Sequence, residues 1–167
     1  MAGADIVMYE EEFRRIKGVL SQLRLDSSSK MVFLIDRNGQ QIAAHGDIEL
    51  IDQTSLSSLT AGNVAATDGL ARLVGEKEFN GIFHEGKKES IHISLVGERL
   101  ILVVVFDQRS SLGLVRLRVR KASDELNAIF DEILKKTEKE RKALTAADFE
   151  SPFAEITDED IDSLFSE

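Results

Sequence analysis

Seven consecutive apolar residues, Leu100-Ile-Leu-Val-Val-Val-Phe106, constrain this chain more than any other stretch. A strand with one wet face alternates apolar and polar side chains. A run that is apolar throughout and rich in β-branched residues must be covered on both faces. The chain therefore has to supply a layer on either side of a sheet centred on this strand. Its 167 residues, 43% hydrophobic and 31% charged, are enough for one domain with a real core.

The flanking elements follow from periodicity. Tyr9 to Leu23 reads as an amphipathic helix with Phe13, Ile16, Leu20 and Leu23 on one face, and Glu10, Glu11 and Glu12 in its first turn, where the helix dipole favours acids. Asp26-Ser-Ser-Ser29 ends it. Met31 to Asp36, the turn Arg37-Asn38-Gly39-Gln40 and the run Gln41 to His45 predict a hairpin with a type I′ turn. Asp47 to Gln53 connects to a helix from Thr54 to Gly75, with Asp52 or Thr54 as its cap. Glu76 to Ser90 reads as irregular, Ile91 to Val96 as a strand, and Gly97-Glu98 as its turn. After the loop Asp107 to Ser111, Val115, Leu117 and Val119 alternate with Arg116, Arg118 and Arg120, which predicts a last strand. Lys121 to Thr137 is a helix with Leu126, Ile129, Phe130, Ile133 and Leu134 inward. The order is α-β-β-α-β-β-β-α: an α/β sandwich on one antiparallel sheet, with helices on both faces. Residues 138–150 read as a charged linker or frayed helix, and 151–167 as an acidic tail beginning at Ser151-Pro152.

The central helix carries two stripes. Leu56, Leu59, Ala66, Leu70 and Leu73 recur at three- and four-residue spacing and are expected to face the core. Ser58, Ala61, Gly62, Ala65 and Gly69 form a face of small residues, with Arg72 one turn further on. Each interior glycine costs about 0.5–1 kcal/mol against alanine, so something is expected to approach this backbone closely. That is either a neighbouring element of the same chain or another polypeptide.

Charge narrows the function. Of the 30 acids, eight lie between Asp148 and the C-terminus, where there is no Lys or Arg, so the body is close to neutral and the tail strongly acidic. Such a chain lacks the basic surface that phosphate neutralisation requires, and nucleic acid is not expected as a partner. No cysteine is present, no apolar run reaches the roughly 18 residues of a membrane helix, and no signal peptide is read at the N-terminus. A cytoplasmic protein without membrane insertion is the expectation. In the tail, Thr157 can cap a short helix on which Ile161, Leu164 and Phe165 share one side, a small apolar face suited to docking on a partner.

Chemistry of the enzymatic kind is not expected. Gly81-Ile-Phe-His-Glu-Gly86-Lys87 has the glycine and lysine spacing of a P-loop, but Lys88 replaces the required Ser or Thr and a strand follows where a helix should. His45, His84 and His92 lack metal-ligand spacing, so no metal and no cofactor is expected. Asp36 and Asp107 each end a strand and read as turn caps. Arg116, Arg118 and Arg120 form a basic row that is either a solvated sheet face or a docking surface. No nucleophile, base and oxyanion site assembles.

Several of these stretches together carry a resemblance: Met8 to Phe13, Val32 to Gln40, Ser58 to Leu73, Ser111 to Val119, Lys121 to Leu126 and the tail from Ser151. In them the sequence resembles the roadblock (dynein light-chain) family, in its bacterial branch of MglB-type GTPase-activating proteins. The resemblance assigns residues 1–137 to the roadblock domain. It implies a homodimer that binds one Ras-like small GTPase of the MglA type and accelerates its GTP hydrolysis. It further implies a role in cell polarity and motility and concentration at a cell pole. It places the GTPase on the central helix, at Ser58, Ala61, Gly62, Ala65, Gly69 and Arg72, with Ile161, Leu164 and Phe165 as a second contact. The alternatives are a passive roadblock scaffold that binds a GTPase without changing its rate, and a small-ligand sensor of profilin-like or PAS-like shape. Dimerisation is expected through the apolar strand Ile91 to Val96, taken as a sheet edge.

Overall fold

The computed structural model describes residues 10–149, so the tail residues Ile161, Leu164 and Phe165 lie outside the described residues. The chain divides into two compact units, one of residues Met8–Phe130 and one containing the segment from Asp131 onward. The first unit holds the sheet. Its elements are α1 (Glu10–Ser27), β1 (Met31–Asp36), β2 (Gln41–Gly46), a short 3-10 turn (Ile48–Leu50), α2 (Gln53–Leu73), β3 (Gly81–Glu85), β4 (Ser90–Val96) and β5 (Leu100–Phe106). The last helix, α3 (Leu112–Phe149), begins here and runs on into the second unit.

All strand pairs are antiparallel and the sheet order is β2-β1-β5-β4-β3. The run Leu100–Phe106 is the central strand and every one of its residues is buried, as its unbroken apolar pattern requires. Side chains alternate between the two layers. Met31, Phe33, Ile35, Ile101, Val103 and Val105 pack in one cluster with Val64 of α2. Val32, Leu34, Leu102 and Val104, fully buried on the opposite face, belong to the layer of α1 and the start of α3.

Three expectations are corrected. Residues Val115 to Arg120 are helical, not a strand. Their period-2 alternation is real, but Val115, Val119, Ala122, Leu126 and Ile129 also continue one stripe at four- and three-residue spacing, and all five are buried. Ser111 caps this helix, its Oγ accepting from the Leu114 amide at 3.2 Å, and Leu117 points outward at 60% exposure. The missing strand is Gly81–Glu85, in the stretch expected to be irregular; its pairing with β4 takes the P-loop-like spacing into a hairpin. Ile91–Val96 is consequently bonded on both sides and is no edge; the free edges are β2 and β3. The 138–150 segment is helical through Phe149, where Thr137 and Thr145 hydroxyls donate to carbonyls one turn back.

The β1–β2 turn differs in type from the expected one. Of Asn38 and Gly39 only Gly39 has positive φ, at +88°. The Gly39 amide donates to the Asp36 carbonyl, and the Asp36 carboxylate accepts from the amides of Asn38 and Gln40. This is a three-residue loop closed by a left-handed glycine, which the Asn-Gly pair supports as readily as a type I′ turn.

Candidate functional site

Helix α2 is positioned by its ends and by one buried face. Asp52 is the cap: its carboxylate accepts from the Ser55 amide at 3.1 Å and the Ser55 hydroxyl at 2.8 Å, and these bonds hold its pKa below the usual carboxylate value. Arg37, in the β1–β2 turn, bonds Asp68 at 2.9 Å and the Glu98 carbonyl at 2.6 Å, tying the helix to two sheet turns. Asn63 lies 3.4 Å from His84 of β3.

The buried face is not the expected leucine stripe. The residues that go inward are Ser57, Thr60, Ala61, Val64 and Ala71. Small side chains let the helix lie close on the hairpin: a Cβ at Gly39 would meet the Ser58 Cα at 3.1 Å and the Ala61 Cβ at 3.6 Å. The Ser57 hydroxyl donates to the Gln53 carbonyl at 2.8 Å, so its burial leaves no lost hydrogen bond. Leu59, Leu70 and Leu73 are 74%, 58% and 83% exposed and Ala66 is exposed with them; Leu56 alone of that stripe packs partly against the core. The stripe was legible, but its direction was not. Leucine spacing identifies a sticky side without saying whether the chain's own sheet or another surface meets it.

The small face is split in the same way. Ala61 is buried under the helix and is unavailable at the surface, because it is one of the residues that permit the close hairpin contact. Ser58, Gly62, Ala65 and Arg72 are exposed and Gly69 is half-buried. Among the described residues nothing lies within 4 Å of where a Cβ would stand at Gly62 or Gly69. Packing among the described residues therefore gives no reason for either glycine. The outer side of α2 is a continuous apolar strip of Leu59, Ala66, Leu70 and Leu73, edged by Gly62 and Gly69, of a kind that marks docking surfaces.

The remaining polar residues fall into local roles. Arg109 is held by Asp107, with contacts of 3.0 to 3.2 Å that lower the Asp107 pKa and raise that of Arg109. Among the described residues Arg72 reaches only the Asp68 carbonyl, at 3.4 Å. Asp36 and Asp107 stand at opposite ends of the sheet, since Asp36 pairs with the first residue of β5 and Asp107 follows the last. Among the described residues no three His, Cys, Asp or Glu side chains gather as a metal site, and no helix is long and apolar enough to cross a membrane. On the α3 side of the sheet, His92 and Ser94 are buried with the Nδ1 and Oγ atoms lacking hydrogen-bond partners. Each such atom costs about 1–3 kcal/mol. Burial, and then the charge of Arg116, keep the His92 pKa below its ordinary value.

Against known proteins, the Roadblock/LC7 domain model matches residues 16–106, just over half of the chain. The chain belongs to the Roadblock/LC7 family. Among solved roadblock structures, Myxococcus xanthus MglB is 58% identical, with a TM-score of 0.72, over 76% of this chain and 96% of that one. The gliding protein MglB of Thermus thermophilus is 32% identical, with a TM-score of 0.71, over 78% and 99%. An MglB with tetrameric arrangement is 30% identical, with a TM-score of 0.72, over 79% and 99%. No curated protein matches. This roadblock domain is thus MglB-like.

Proposed function

We propose that this chain is a homodimeric GTPase-activating protein of a Ras-like small GTPase of the MglA type, serving cell polarity and motility from a cell pole. The observation that carries the reading is the outer side of α2, where exposed leucines flank glycines that no packing among the described residues requires. In an MglB-like roadblock protein this is the helix that resemblance assigns to the GTPase. The surface offers backbone and apolar contact and little charge, so it suits holding switch loops in a competent arrangement rather than stabilising transition-state charge. Binding that arrangement preferentially shifts its population, and each 1.4 kcal/mol of preference is worth tenfold. An arginine supplied in trans would be worth roughly 10³–10⁵ in rate, but Arg109 is already engaged by Asp107.

A free sheet edge supports the homodimer in this reading. The free edge of β3 (Gly81–Glu85) is a pairing template, and a two-fold pair through it gives a particle of about 37 kDa, twice the 18.6 kDa chain. The acidic tail, through Ile161, Leu164 and Phe165, contacts the same GTPase away from α2. Deleting residues 148–167 should lower affinity or nucleotide exchange, and no change in either would leave the tail as a solubilising segment. The deciding measurement is single-turnover GTP hydrolysis by a cognate small GTPase with and without this chain. Stimulation of at least tenfold is expected. Tight binding without stimulation would make the chain a passive scaffold.

A further inference from the structure

We propose that the cavity between β4 and the first turns of α3 is a binding site for a small oxyanion, a carboxylate or phosphate group, held by Arg116 and Arg120 against His92 and Ser94. The cavity has a volume of about 650 Å³, and all four residues line it. It lies on the sheet face opposite α2, within the first unit, and the inference is independent of the GTPase reading.

Several observations converge on an anion. Arg116 and Arg120 are one helical turn apart, so both reach the same side of α3. Among the described residues neither has a carboxylate within ion-pairing distance. One acid, Asp124, joins the lining, which leaves the cavity with an excess of one positive charge when His92 is neutral. The floor is polar where an apolar layer would be expected: the strand's neighbours in this layer are Val96 and Val104, whereas His92 and Ser94 are 5% and 7% exposed. Both carry an unpartnered polar atom, so the floor has hydrogen-bonding capacity that the chain itself does not use.

Gly81 keeps the imidazole approachable. It stands opposite Ser94 in the β3–β4 register, and a Cβ there would come within 3.4 Å of the His92 Nε2. Guanidinium groups at the mouth, with hydroxyl and imidazole below, form a donor set that oxyanions fill with charge-assisted bonds.

The test uses the full chain. Ring signals of His92 and the amides of Gly81 and Ser94 would be followed by NMR as sodium phosphate or citrate is added, with sodium chloride at matched ionic strength as reference. The expected result is a saturable shift with phosphate, citrate or both, beyond that with chloride. At saturation the His92 pKa should rise, because a bound anion favours the imidazolium form. Arg116→Gln and Arg120→Gln should each weaken binding at least tenfold, while Arg99→Gln, in the β4–β5 turn, should not. Shifts no larger than with chloride, or shifts that persist in the Arg116→Gln/Arg120→Gln double variant, would overturn the proposal.

Discussion

Replacing Leu59, Leu70 and Leu73 together by alanine separates docking from folding. The three are 74%, 58% and 83% exposed, about two complete leucine side chains of apolar surface facing outward. Each Leu→Ala change removes three carbons, at about 0.8 kcal/mol per buried carbon group. Weighted by exposure, a partner covering the whole strip would gain at most about 5 kcal/mol from those carbons. Interfaces return only part of such a ceiling. Half of it, about 2.5 kcal/mol, corresponds to a roughly 70-fold loss in affinity. The fold should hardly notice, since exposed substitutions stay within about 0.5 kcal/mol each and alanine favours helix. Titration calorimetry against the GTPase and urea unfolding of the free chain measure the two sides. A loss of several kcal/mol in unfolding free energy would mean that the leucines are core after all. Binding within threefold of the parent would remove α2's outer side as the docking surface. Sedimentation checks a further outcome: conversion of a dimer to monomer would assign the leucines to self-association and refute a GTPase seated there.

Ala65→Arg or Gly69→Arg should abolish GTPase binding and stimulation together, through a steric clash read in the same turnover assay. Arg72→Ala and Arg109→Ala should each leave stimulated turnover at saturating protein within about tenfold, whereas a loss of roughly 10³ with binding intact would establish an arginine supplied in trans. Gly39→Ala should destabilise the fold by about 1–2 kcal/mol from its left-handed φ alone, and by more if the Ser58 backbone 3.1 Å away cannot retreat; denaturant unfolding measures it. His92 faces Arg116, Arg120 and Asp124 of α3, and its depressed pKa means that the folded state holds the neutral ring. Its contribution is therefore intact above the unfolded value near 6.5 and falls away as pH drops below it, so His92→Gln should flatten stability between about pH 7 and pH 5.

Strand type and sheet centre were legible because burial on both faces leaves an unmistakable pattern, as in Leu100–Phe106. The segment Val115 to Arg120 misled because four- and three-residue spacing and strict alternation coincide over six residues. Only its continuation into Ala122 and Leu126, with no Gly or Pro between, decides for a helix. β3 was invisible for the opposite reason. An edge strand needs one neighbour and one packed face, and Gly81, His84 and Glu85 carry little apolar signal. On α2 the sequence revealed two stripes and nothing about which was covered. That depended on Ser57, Thr60 and Ala61 fitting beneath a glycine turn some twenty residues upstream. Arg37 and Asp68, which set the helix against the sheet, could not be paired from spacing.

Because α2 buries serine, threonine and alanine and displays leucine, the proposed function puts the requirements of folding and of partner choice on opposite sides of one helix. Volume rules the inner side, where a Cβ added at Gly39 would already stand 3.1 Å from the Ser58 Cα. The outer side is free of that rule, and its residues can drift, be exchanged or be randomised while the domain stays intact. A lineage can thus duplicate this domain and retarget the copy with a few changes at positions 59, 66, 70 and 73. An engineer can draw orthogonal pairs from the same four positions.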